Sequence, residues 1–169
     1  PLKIASRMSH IEASGIRKFF DLAQSMKDPI DLSIGQPHFD PPESVKQAAI
    51  EAIKGGRNRY TVTQGIEPLR ERIRERLTRE HGLSRTDDVL VTSGVGGGLT
   101  LALLCVLDIG DELMIPDPYF VMYKHLARVA GATPVAFNTY PNFEITRAAL
   151  DAAYSPKSRA IIVNSPSNP

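Results

Sequence analysis

From residue 89 onward the chain alternates short apolar runs with amphipathic stretches, and the alternation is regular. It predicts strands at 89–92, 112–115, 134–137 and 159–163, with helices at 99–107, 120–130 and 146–153 between them. Strands that alternate with helices of about ten residues indicate crossover units and a largely parallel sheet. Asp108-Ile109-Gly110-Asp111 and Ala130-Gly131-Ala132 mark helix-to-strand junctions, with glycine where a helix should end.

Upstream the pattern is more helical. Ile16, Phe19, Phe20 and Ala23 recur at helical spacing across 9–26, with Ser9 as a cap, Glu12 three residues on, and Gly15 as an interruption. Residues 30–34 alternate as a short strand, and Gly35 to Pro42 form a turn into the next helix. Asp40 is the expected cap there, and Pro41 or Pro42 suits the first turn. Val45, Ala48, Ala49, Ala52 and Ile53 form the expected buried stripe until Gly55-Gly56 stops the helix. After a loop at 57–64, a helix over 67–81 carries Leu69, Ile73 and Leu77 on one face. Its other face interleaves Arg and Glu, close enough for pairs such as Glu75 with Arg79, and reads as solvated rather than as a basic stripe for a polyanion.

With 169 residues, 42% of them hydrophobic, the chain can bury one core of about one domain. Twenty Lys and Arg against nineteen Asp and Glu leave a net charge of +1, which supplies no field for nucleic acid and no polybasic membrane patch. No apolar run reaches the roughly 18 residues of a membrane helix, and the start lacks the apolar core of a secretion signal. The single cysteine, Cys105, allows no internal disulfide and reads as a small buried hydrophobe. A cytoplasmic location is the default expectation. His10, His38, His81 and His125 lack metal-ligand spacing, so no metal is expected, and no Ser sits in a nucleophile elbow.

Candidate chemistry gathers at strand ends. The run 160–163 delivers the polar, proline-held segment Asn164-Ser165-Pro166-Ser167-Asn168-Pro169, and loops at the carboxyl ends of parallel strands are where ligands sit. Val91-Thr92-Ser93-Gly94-Val95-Gly96-Gly97-Gly98-Leu99 breaks into glycines and opens a helix, a junction where backbone N–H groups converge on an anion. It is neither a nucleotide P-loop, lacking the Lys-Ser or Lys-Thr, nor a dinucleotide fingerprint. Its glycines can equally serve helix–strand packing. In Ile115-Pro116-Asp117-Pro118-Tyr119-Phe120, a stiffened loop presents aromatics suited to a flat heterocycle, with core packing of Phe120 as the plain alternative. Gly35 in Ile34-Gly35-Gln36-Pro37 permits close backbone approach.

Taken in order, these segments resemble the class I/II aminotransferases, the fold type I enzymes that use pyridoxal 5′-phosphate. The ending resembles their Asn-Pro-x-Asn-Pro signature, and Asn58 to Gly65 resembles their Tyr-x-x-x-x-Gly segment. The resemblance implies an α/β fold with the three-layer, mostly parallel sheet of the cofactor domain, truncated, preceded by a helical arm. Residues 1–40 would be the amino-terminal arm and small-domain segment, and 41–169 an incomplete first part of the cofactor domain. It implies phosphate contacts from Gly94, Val95 and Gly96, ring stacking by Phe120, a hydrogen bond from Asn168 to the ring oxygen, and approach of the substrate α-carboxylate at Gly35. Tyr60 would reach the phosphate of the neighbouring subunit in a homodimer, and Asn164 would brace the loop. Many family members carry a hydroxyl or Lys where this chain has extra glycine, which shifts phosphate binding toward backbone amides or Ser93.

In that family the Schiff-base lysine, the acid on the pyridine nitrogen and the substrate arginine all lie beyond the Asn-Pro motif. Lys3, Lys18, Lys27, Lys46, Lys54, Lys124 and Lys157 lie in no segment resembling the Schiff-base motif, so no catalytic residue is assigned. For the intact protein the resemblance implies amino-group transfer from an amino acid to a 2-oxo acid, and for these residues alone, no transamination. A lyase, decarboxylase or synthase on the same fold, or a non-catalytic regulatory or interaction protein, remains open. A partial parallel sheet is also expected to expose apolar surface and an open edge.

Overall fold

The computed structural model describes residues 3–11, 15, 22–30, 37–82 and 89–167. The chain divides into two compact units, Pro1–Gly15 with Ser93–Pro169, and Ile16–Thr92.

The first unit is built on a parallel sheet of β1 (Glu112–Asp117), β2 (Thr133–Asn138) and β3 (Ser158–Ile161), in the order β2-β1-β3. β1 runs in register with β2 from Glu112 opposite Thr133 to Asp117 opposite Asn138, and with β3 through Leu113 opposite Ala160. Helices α3 (Gly94–Val106), α4 (Met122–Val129) and α5 (Arg147–Ala153) complete the unit. α4 connects β1 to β2, and α5 connects β2 to β3.

The central strand explains the arrangement. Leu113, Met114 and Ile115 of β1 are all buried, the continuous apolar run expected of a parallel strand covered on both faces. Leu113 and Ile115 join Leu103, Leu107, Tyr123, Ala127, Ala132 and Ile162 in one core. Each fully buried aliphatic side chain of this kind contributes about 1.5–3 kcal/mol. Tyr123 and Ala127, four apart, form the buried stripe of α4. Thr146 caps α5 by accepting from the Ala149 N–H at 3.2 Å. At Gly131, φ is +86° and an added Cβ would lie 2.9 Å from Ile109 Cγ1, so glycine alone closes this helix-to-strand turn.

Three expectations from the sequence are corrected. Residues 89–92 form no strand; the Val91 N–H goes instead to the Gln64 carbonyl at 2.9 Å, and an apolar run becomes a strand only through pairing. α3 begins at Gly94 rather than Leu99, which places the glycines inside the helix's first turn. Cys105 is exposed, because α3 is apolar all round while Leu99, Leu103 and, at the C-cap, Leu107 turn to the core; Leu101, Leu104 and Val106 face outward with it. The expected exposed apolar surface is therefore present.

The amino-terminal stretch forms a 3₁₀ turn, Ser6–His10, in which the Ser9 hydroxyl donates to the Ser6 carbonyl at 2.7 Å. Ser9 is thus inside a turn rather than a helix cap. Residues 22–24 are helical. The rest of the 9–26 helix and the 30–34 strand lie largely outside the described residues.

The second unit carries α1 (Glu43–Lys54) and α2 (Glu67–His81). Pro42 occupies the N-cap of α1, while Asp40 pairs with Lys46 Nζ at 3.1 Å instead of capping. The stripe on α1 is not buried: Val45 and Ile53 are exposed, and none of the described residues of this unit is fully buried. Glu67 of α2 pairs with Arg70 at 2.8 Å and with Arg74, Glu75 pairs with Arg72 at 2.9 Å, and Glu80 pairs with Arg76 at 2.7 Å and Arg79 at 3.2 Å. Gly82 ends α2 in the left-handed conformation.

Candidate functional site

The chain passes from β1 to β2 on one side and returns to place β3 on the other, so the strand order reverses at β1 while every strand stays parallel. The crevice outside the carboxyl ends of strands at such a switch point is the preferred ligand position in open α/β sheets. A cleft of about 330 Å³ opens there. Pro116, Pro118, Phe143 and Val163 supply its apolar wall, and Thr139, Asn164 and Ser165 its polar groups. Two of the segments singled out in the sequence, 115–120 and 164–167, therefore meet at one cleft.

The walls are held by hydrogen bonds between strand ends. Buried Thr139, 6% exposed, donates its hydroxyl to the Asp117 carbonyl at 2.7 Å, and its N–H donates to the same oxygen at 3.1 Å. The Tyr140 N–H donates to Asn138 Oδ1 at 2.9 Å, and the Tyr140 and Phe143 rings pack with centroids 5.1 Å apart. Sequence reading missed Thr139 and Phe143; the signal available was only a Thr at a strand end and an aromatic in the loop beyond it.

Gly94, Val95 and Gly96 form the first turn of α3, after Ser93 at the N-cap, whose side chain makes no capping hydrogen bond. The leading N–H groups of a helix have no intrahelical acceptor and carry the positive end of its dipole. No acidic residue stands in this turn to compete with an anion. At Gly94, φ is +68° with nothing within 4 Å of an added Cβ, which leaves an open approach that a side chain would fill. Val95 is 79% exposed. Gly96 lies against α4: a Cβ there would stand 3.1 Å from Met122 Cε. Met122 follows Phe120 by two residues, so the glycine turn and the aromatic loop are neighbours. Phe120 is half-buried, packs on the core, and meets Tyr123 edge-to-face at 5.9 Å. The packing reading of Phe120 is therefore met, and the core fixes the position of its ring.

Tyr60 lies in the other unit and is fully exposed, in a loop anchored where Asn58 Nδ2 donates to the Ile53 carbonyl at 3.2 Å. Gly35 and Asn168 lie outside the described residues. Among the described residues no cluster of His, Cys, Asp or Glu could hold a metal ion, and no helix is long and apolar enough to cross a membrane.

The family model for aminotransferase class I and II matches residues 27–169. The chain belongs to this family. It is 40% identical over 172 residues to the aspartate aminotransferase of Rhizobium meliloti, covering 98% of this chain and 42% of that protein. It is 35% identical to aromatic-amino-acid aminotransferase 2 of Thermococcus litoralis, covering 99% of this chain and 44% of that protein. The crystal structure of the Rhizobium meliloti aspartate aminotransferase superposes with a TM-score of 0.93 at 39% identity, covering all of this chain and 44% of that one. The chain thus spans less than half the length of the relatives it matches, and the α/β fold of that family is present over this span.

Class I/II aminotransferases use pyridoxal phosphate, whose chemistry is that of an electron sink. The open, acid-free glycine turn suits its phosphate, and the positioned aromatic of the adjoining loop suits its ring.

Proposed function

We propose that this chain forms part of the cofactor cradle of an aminotransferase that moves an amino group from an amino acid to a 2-oxo acid. The observation that carries this reading is the open first turn of α3 beside the Phe120 loop, in a chain of this family. Gly94, Val95 and Gly96 would receive the cofactor phosphate through backbone N–H groups, and Ser93 stands next to them. Phe120 would stack on the ring, Asn168 would hydrogen-bond its ring oxygen, and Gly35 would border the substrate carboxylate. Residues 1–40 serve as arm and small-domain segment, and 41–169 as the first part of the cofactor domain.

The protein works as a cytoplasmic homodimer in this reading, with Tyr60 contributed to the neighbouring subunit's phosphate. Its full exposure in the single chain supports that role. These 169 residues alone carry out no transamination, because no lysine among them stands in a segment like the family's cofactor-anchoring one.

Two measurements test the proposal. Borohydride reduction of the full reading frame with pyridoxal phosphate, followed by peptide mapping, should label a lysine beyond residue 169; absence of any labelled lysine overturns the enzyme reading. The 169-residue chain incubated with amino acid and 2-oxo acid should yield no new amino acid, and turnover would refute its inactivity.

A further inference from the structure

The 3₁₀ turn Ser6–His10 lies against the carboxyl end of α4 through a reciprocal pair of contacts. Arg7 Nη1 donates to the Val129 carbonyl at 3.5 Å, and Arg128 Nη1 donates to the His10 carbonyl. Beside them opens a cleft of about 590 Å³, lined by Ser6, Arg7, His10, Arg128 and Thr133 among others. Thr133 begins β2, so this cleft lies at the amino end of the sheet, opposite the loops of the cofactor cradle.

Its charge is unlike that of the helices. Residues 3–11 and 118–143 contain no Asp or Glu, and from them Arg7, His10 and Arg128 line the cleft. Arg70, Arg72, Arg74, Arg76, Arg79 and Arg147 on other helices each pair with a carboxylate. Among the described residues no ion pair joins Arg7 or Arg128 to a carboxylate. The helical neighbours of Arg128 explain why: Lys124 and His125 precede it by four and three positions, and Gly131 and Ala132 follow. The nearest acids in sequence to the lining residue Ile109 are Asp108 and Asp111, and Asp111 Oδ2 is taken up by the Asp108 N–H at 2.9 Å. Glu12 lies outside the described residues.

A guanidinium carries five N–H donors in a planar fork, and here each spends one on a carbonyl. Two such forks fastened at one cleft repel each other unless an anion lies between them, and bidentate pairing with an oxyanion is their strongest use. We propose that this cleft binds a small organic or inorganic dianion, of the phosphate or dicarboxylate class, at Arg7 and Arg128. Ser6 and Thr133 add hydroxyl donors, and His10 borders the site.

Equilibrium dialysis in chloride buffer of fixed ionic strength, with labelled phosphate in one arm and labelled succinate in the other, tests this and tells the two classes apart. At least one anion should bind saturably, with affinity falling about tenfold or more when both forks are removed in Arg7→Gln/Arg128→Gln. Binding should persist in Gly94→Ala, which alters the cofactor cradle instead. No saturable binding of either anion, or binding unchanged in the double arginine variant and lost in Gly94→Ala, overturns the proposal. A second readout needs no arginine variant: the Arg7 and Arg128 Nε resonances of the unsubstituted protein should shift saturably with the anion, and flat traces refute the site. Failure of the cofactor reading would leave these outcomes untouched.

Discussion

The Asp117 carbonyl accepts two hydrogen bonds from Thr139, one from the hydroxyl at 2.7 Å and one from the N–H at 3.1 Å. This double contact ties the carboxyl end of β1 to that of β2, where the polypeptide turns out to form the cleft. Thr139 is the buried polar residue on this wall, and its hydroxyl leaves no unmet donor behind.

Thr139→Val keeps the shape and the N–H contact while removing the hydroxyl bond. Loss of one net hydrogen bond corresponds to about 1 kcal/mol of stability. Urea unfolding of the two proteins should show a lower midpoint with unchanged slope, and an unchanged midpoint would remove Thr139 as a tie between the strands.

Gly94→Ala forces a Cβ onto a residue with φ of +68°. The left-handed conformation costs a non-glycine residue about 1–2 kcal/mol, and the methyl would also enter the open approach to the helix N-terminus. Pyridoxal phosphate should bind more weakly while pyridoxal, which lacks the phosphate, is affected less. Equal losses for both ligands would show that the turn does not hold the phosphate.

Phe120 separates packing from ligand stacking through two substitutions. Phe120→Ala removes contacts to the core and to Tyr123, and for this half-buried ring should cost roughly 2–3 kcal/mol, below the range of fully buried Phe. Phe120→Leu should keep most of the stability but lose cofactor affinity, since a leucine offers no ring face. Thermal melts beside cofactor titration measure both, and unaltered affinity in Phe120→Leu would leave packing as its sole role.

The Glu80 carboxyl is held below its ordinary range, first by the hydrogen bond from Arg76 and then by that from Arg79, while the Arg76 guanidinium is raised by the same pair. A carboxylate depressed in the folded state contributes stability above its unfolded pKa and loses it as pH falls through the folded value. Both groups stand in solvent, so the contribution is small and falls with salt. Carboxyl ¹³C titration should place Glu80 at a higher midpoint in Arg76→Gln than in the unsubstituted protein. A midpoint that stays put would break the link to Arg76.

Much of this was readable from residue order. The alternation of apolar runs located β1, α4, β2, α5 and β3 to within a few residues, because each strand and each helix stripe follows its own period. The glycines at 94 and 96 and the loop at 115–120 stood out in residue order as a glycine-rich helix start and a proline-held aromatic turn, but packing uses the same residue types, and Phe120 does pack on the core. Asp40 was misread as a cap because a side-chain cap and a salt bridge to Lys46 draw on the same residue types. Cys105 was misread because an all-apolar helix carries no periodicity to say which face meets the core.

Residue order carried the succession of elements, the parallel class of the sheet and the family, since these depend on local period and on residue types at fixed spacing. Packing in three dimensions set the order β2-β1-β3, the cleft at its switch point, the approach of Gly96 to Met122, and the donation of Arg7 and Arg128 to the Val129 and His10 carbonyls. Strand order and the contacts of residues far apart along the chain depend on which surfaces pack together, and no local pattern encodes that choice.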